Sequence, residues 1–86
     1  MNQATLLVSF LYEVYQLRAS KKDTFQNIQH YLETRLGMDY ISSCDAAIVL
    51  RDTFISNRDN DLNLDQFRVL VFNTLKADHE KRRKAS

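Results

Sequence analysis

Eighty-six residues, 44% of them apolar and 27% charged, amount to one globular domain and exclude both a disordered chain and a second core. One glycine (Gly37) and no proline exclude a turn-rich all-β architecture and point to helices joined by short polar links. The net charge of +1 is unevenly placed: residues 1–75 carry seven Lys/Arg against nine Asp/Glu, and residues 76–86 five against two, so a mildly acidic body ends in a basic tail, unlike a groove-binding nucleic-acid protein.

The first helix is expected over Ala4–Leu17. Its apolar residues, among them Leu7, Phe10, Leu11 and Val14, are too many for one stripe of a surface helix. A helix apolar on two sides needs its own core and a second surface, which points to another subunit. The run Leu6–Leu11 has no basic residue before it and Glu13 soon after, so it reads as neither a signal peptide nor a membrane span of about 20 apolar residues. Arg18–Lys22 is a polar link. Asp23, with Gln26 three residues on, then predicts the cap of a second helix carrying Phe25, Ile28, Tyr31, Leu32 and Leu36 at helical spacing. Gly37 ends it, as the left-handed position after a helix demands.

Met38–Ser43 is a connector, and Ser42 with Asp45 marks a third helix running to about Phe54. Ile55–Asp61 reads as a loop, after which Asn63 with Gln66 caps a fourth helix whose Phe67, Val69, Leu70, Val71, Phe72 and Leu75 again cover more than one face. From Lys76 onward the chain has helical propensity but no core residue. The expected organisation is thus a helical domain over residues 1–75 and a basic tail over 76–86, a frayed helix or a linker.

The segment before the fourth helix carries the one recognisable site pattern. A calcium-binding EF-hand loop places oxygen ligands at positions 1, 3, 5, 7, 9 and 12, a glycine at 6 and an aliphatic residue at 8. With Leu62 at position 8, Ile55 falls at 1, Asn57 at 3, Asp59 at 5, Asn60 at 6, Asp61 at 7, Asn63 at 9 and Gln66 at 12. Asn60 is then the best non-glycine residue where a positive φ is required. Ile55 offers calcium nothing, and Gln66 lacks the bidentate carboxylate that completes the sphere, so the loop is not expected to bind the ion at cytosolic concentrations. An alternative is that it is simply an Asn/Asp-rich capped turn.

The flanking helices resemble those of the S-100 family of small dimeric EF-hand proteins. Leu11-Tyr-Glu-Val-Tyr-Gln16 is similar to the family's first-helix pattern, Ile28-Gln-His-Tyr-Leu-Glu-Thr-Arg-Leu36 to its second, and Gln66-Phe-Arg-Val-Leu-Val71 to the opening of its fourth. The likeness spans roughly residues 5–75 and rests on order and spacing together. The link from Tyr15 to Ile28 is several residues too short for the family's first loop, and His30 stands near where its closing glutamate would lie, so both sites look dead. The resemblance implies an all-α fold of four helices in two EF-hand-like pairs, packed as a symmetric dimer. Its implied interface comprises the first and fourth helices, here Leu7, Phe10, Leu11, Val14, Val69 and Phe72. It also implies a target groove among the hinge, the third helix and the end of the fourth, with Met38, Tyr40, Ile41, Phe54 and Phe72 as anchors for a partner peptide or amphipathic helix. The bland alternative is that those five belong to the core.

No phosphate loop, acid–base pair or nucleophile constellation can be assembled, so neither an enzyme nor a bound cofactor is expected. His30 and His79 lie in no metal-ligand spacing, and the single Cys44 cannot form an internal disulfide. A reducing compartment follows: cytoplasmic, or nuclear if Lys81-Arg-Arg-Lys84 acts as a localisation signal. The expected function is a calcium-insensitive, homodimeric protein-binding module. The alternative is a purely structural N-terminal dimerisation domain of a longer protein.

Overall fold

A computed structural model describes residues 2–85. Four helices follow one another: α1 (Gln3–Leu17), α2 (Lys21–Arg35), α3 (Tyr40–Ser56) and α4 (Leu64–Ala85), with one 3-10 turn, Arg58–Asn60, between the last two. There is no strand among the described residues. The all-helical architecture expected from the sequence is therefore observed.

Short polar side chains start each helix by taking an amide that has no partner within the helix. The side chain of Asn2 accepts from the Thr5 amide at the head of α1. Ser20 Oγ does the same for Asp23 at the head of α2, and Asp39 for Ser42 at the head of α3. Both of these caps lie three residues before the expected ones, Asp23 and Ser42. The links are correspondingly shorter, because the chain reverses at once: Arg18 ends α1 in the left-handed conformation and Gly37 follows α2 at φ +67°. A Cβ on Gly37 would meet nothing within 4 Å, so it is the backbone angle that calls for glycine there. At α4 the expected capping box is present, with Asn63 Oδ1 accepting from the Gln66 amide at 2.8 Å and Gln66 Oε1 accepting from the Asn63 amide at 3.1 Å.

The core is one cluster drawn from all four helices: Val8, Leu11, Val14 and Tyr15 of α1, Ile28 and Leu32 of α2, Ala47, Leu50 and Phe54 of α3, and Phe67 and Val71 of α4. The α2–α3 pair is the most extensive contact. Its register is pinned by Gln29 Nε2 donating to the buried Ser43 Oγ, whose own hydroxyl donates to the Tyr40 carbonyl. At the far end Tyr15, Phe54 and Phe67 pack ring to ring, centroids 5.2–6.1 Å apart, with Tyr12 against Phe67.

Past Leu75, into the basic tail, α4 continues to Ala85. Asp78 and Arg82 pair at 2.9 Å one turn apart, and Arg82 reaches Asp45 of α3 at 3.4 Å. Ion pairing at helical spacing supports a segment that the core does not reach.

Phe67, fully buried, is the aromatic through which α4 joins the other helices. Phe67→Ala should lower the unfolding free energy by about 3–5 kcal/mol, read from urea melts followed by circular dichroism.

Candidate functional site

The segment before α4 is built differently from the ion loop that its spacing suggests. Ile55 lies inside α3, half-buried, so the irregular segment starts at Asn57 rather than at Ile55. The positive φ falls on Asp61 (51°), one residue after Asn60. The displacement follows from the 3-10 turn, which takes up Asn60 and leaves the reversal to the next residue.

The oxygens that a cation would need are largely committed to the fold. Asn57 Oδ1 accepts from Asn60 Nδ2 at 2.7 Å, while Asn57 Nδ2 donates to the Thr53 carbonyl. Asn63 Oδ1 and Gln66 Oε1 are occupied by the reciprocal cap. Asp61 stands 3.8 Å from Arg18, and Asp59 is exposed. No group of three or more His, Cys, Asp or Glu side chains converges among the described residues.

This segment lies against the short α1–α2 link. Arg18 donates to the Arg58 carbonyl at 3.1 Å, and Arg58 in return donates to the Ala19 carbonyl. Two α1 tyrosines anchor it from beneath: Tyr12 Oη donates to the Leu62 carbonyl at 2.9 Å, and Tyr15 Oη donates to the Asn57 carbonyl at 2.7 Å while accepting from the Leu62 amide. From the sequence these two read only as apolar helix positions. Their hydroxyls face a segment more than 40 residues away, and no local pattern announces that.

The expected interface residues divide. Leu11 and Val14 are enclosed by the chain's own core and Leu7 is half-buried, so α1 spends this side within the subunit. Phe10 is half-buried and stacked on Tyr31 of α2 at 4.1 Å between ring centroids, so α2 covers part of the second side of α1, while Leu6 and Leu17 stay exposed. On α4 nothing comparable happens: Val69 is 57% and Phe72 52% exposed.

The expected anchors divide too. Phe54 is buried among Tyr15 and Phe67, and Met38 packs half-buried against the core, which removes Phe54 from any groove. Tyr40 and Ile41, at 66% and 71%, stand out from the first turn of α3. Ile41, Cys44 and the exposed Ile48 repeat at helical spacing along the same face. Phe72 does not join them. It borders a groove of about 330 Å³ between α4 and the first turns of α1, lined by Val8, Leu64 and the small Ala4, Thr5 and Ser9. The exposed ones among the expected anchors therefore lie on two separate apolar surfaces where one groove was expected. Ile48 was missed because it lies within the apolar run Ala46–Leu50, which reads as core, and Leu64 because it stands between the polar Asn63 and Asp65.

Charge at the α3 surface is set locally. Hydrogen bonding and charge from Cys44, then desolvation and Glu33, hold the Tyr40 phenol above its ordinary range. Hydrogen bonds from the Ser42 amide and hydroxyl hold the Asp39 carboxyl below its usual value.

No protein-family model, curated protein or solved structure matches this chain. No helix among the described residues is long and apolar enough to cross a membrane.

Tyr15→Phe keeps the ring and strips both bonds to the loop, leaving the Leu62 amide without that partner and the Asn57 carbonyl with the Asn60 amide alone. A loss of about 1–3 kcal/mol in unfolding free energy is expected, and calorimetry should place the melt below that of the wild type. Because Asp39 has a folded pKa below its unfolded 3.8, its cap stabilises fully above that value and the contribution disappears as the pH falls through the lower folded one. Melts recorded between about pH 5 and pH 2 should therefore fall less steeply for Asp39→Asn, a neutral cap, than for wild type.

Proposed function

We propose that this chain is a calcium-insensitive protein-interaction module on an EF-hand-like helical frame. It pairs with a second copy and accepts a peptide or amphipathic helix from a partner in a cytoplasmic or nuclear setting, acting by binding rather than by catalysis. One observation carries the reading: Tyr40, Ile41 and Ile48 on α3, and Val69 and Phe72 on α4, form two exposed apolar sets at helical spacing on a chain whose own core is already closed. Exposed aromatic and aliphatic clusters of this kind mark contact surfaces.

Three features support the EF-hand-like frame. The two inter-helix links lie side by side, as paired loops of such a frame would. Leu62, at the aliphatic position of the loop pattern, sits where that segment meets α1. Asn63 and Gln66, at the ninth and twelfth positions, have become a helix cap. Calcium insensitivity follows from the same chemistry, since an ion would have to break the cap of α4 and the Asn57–Asn60 bond to recruit neutral amide oxygens in place of carboxylates.

Random peptides displayed on phage and selected on the full chain test this reading. Enriched peptides should carry apolar residues at helical spacing, bind equally in calcium and in chelator, and lose at least about tenfold in affinity to a Tyr40→Ala, Ile41→Ala variant that melts within about 0.5 kcal/mol of wild type. Binding that requires calcium, or that ignores the double substitution, would overturn it.

A further inference from the structure

Leu75 is the last residue of α4 packed against the core, and the helix then runs on to Ala85. At 1.5 Å per residue this continuation spans about 15 Å. Residues 76–86 hold five Lys/Arg against two Asp/Glu, a charge of +3, while the rest of the chain carries −2.

That charge is concentrated on one side of the helix. Arg82 pairs with Asp78 at 2.9 Å and with Asp45 of α3 at 3.4 Å, so one cation serves two carboxylates and fastens the segment to α3. Lys76, Lys81 and Lys84 are exposed and make no ion pair among the described residues. At 3.6 residues per turn these three and the exposed Arg83 fall within an arc of about 160° that leaves out Asp78 and Arg82. Glu80 stands within the arc, bordering an open depression with Arg83 and Lys84.

We infer that this cationic face of α4 docks on an anionic lipid surface, the helix lying along the plane with its lysine and arginine heads among the lipid headgroups. The inference is independent of the pairing and peptide binding proposed above, which use exposed apolar side chains. Charge complementarity selects an anionic partner, and the shape of the face selects lipid over an acidic peptide. Between Lys76 and Lys84 the arc is convex and carries no apolar side chain larger than Ala77, so it lacks the anchors and groove through which peptides are held. A peptide touches one line of a helix. A fluid sheet of headgroups meets a broad cationic arc all at once, and clusters of four or more Lys/Arg on a helix suit such a surface. The Arg82 pairs already hold the segment helical, so docking costs little further ordering.

Co-sedimentation of the full chain with large vesicles tests the inference. Phosphatidylcholine vesicles containing about 30% phosphatidylserine should bring the chain down at low salt, and pure phosphatidylcholine vesicles should not. Raising salt to about 0.5 M should release it. A Lys or Arg near such a surface contributes about fivefold in affinity, so Lys81→Gln with Lys84→Gln should lose about twentyfold and Glu80→Gln should gain about threefold. The same loss of two charges at the exposed Lys21 and Lys22 of α2 should leave binding within about twofold. Binding that ignores phosphatidylserine or salt would overturn the inference, and neither measurement needs a variant to fold. Equal losses from the α2 and α4 substitutions would overturn it too, since net charge and not this face would then be at work. A wild-type chain that stays in the supernatant with the anionic vesicles sinks it outright; binding to polyglutamate or a short DNA duplex instead would make the partner an acidic protein or a nucleic acid.

Discussion

Tyr15 is the point at which the two halves of this fold meet. Its ring is buried against Phe54 and Phe67, and its hydroxyl bonds both ends of the segment that joins α3 to α4. An apolar ring with one polar tip suits a position between a dry core and a hydrated loop. Through this side chain, with Tyr12 beside it, the loop is tied to the core. The start of α4, and with it the direction of the helix that carries Val69 and Phe72, depends on that anchorage.

The same economy explains how apolar surface is distributed. Phe10 and Tyr31 cover each other, so α1 closes part of its second side within the subunit, while Leu6 and Leu17 stay exposed. On α4, Val69 and Phe72 have no such cover, and their exposure is the largest apolar debt left by folding on that helix. A small domain has few elements with which to cover every apolar face. The leftover faces are where association can add buried surface.

The segment after α3 shows how an ion-binding pattern and a capped turn can share a spacing. Oxygen side chains at alternate positions can surround a cation, or they can satisfy the amides of a turn and a helix start. In this chain Asn57, Asn63 and Gln66 do the latter. A neutral amide suits Asn57 because it donates to the Thr53 carbonyl while accepting from Asn60, which a carboxylate cannot do. The crossed contacts of Arg18 and Arg58 with backbone carbonyls then hold the two links together without a metal.

The number of helices, the capping box at Asn63 and Gln66, the stop at Gly37 and the helical content itself were determined by the sequence alone, because each depends on residues within four positions of one another. Cap positions at Ser20 and Asp39 were misplaced by three residues, since adjacent polar residues compete for the cap and only the tightness of the reversal decides between them. Which apolar residues are core and which are surface was settled by tertiary structure. Phe54 and Phe72 are chemically identical, yet one is enclosed by Tyr15 and Phe67 while the other faces outward. The hydroxyls of Tyr12 and Tyr15 found their partners in the same way. Such pairings join residues remote in sequence, and they exist only once helix packing has fixed the distance between them.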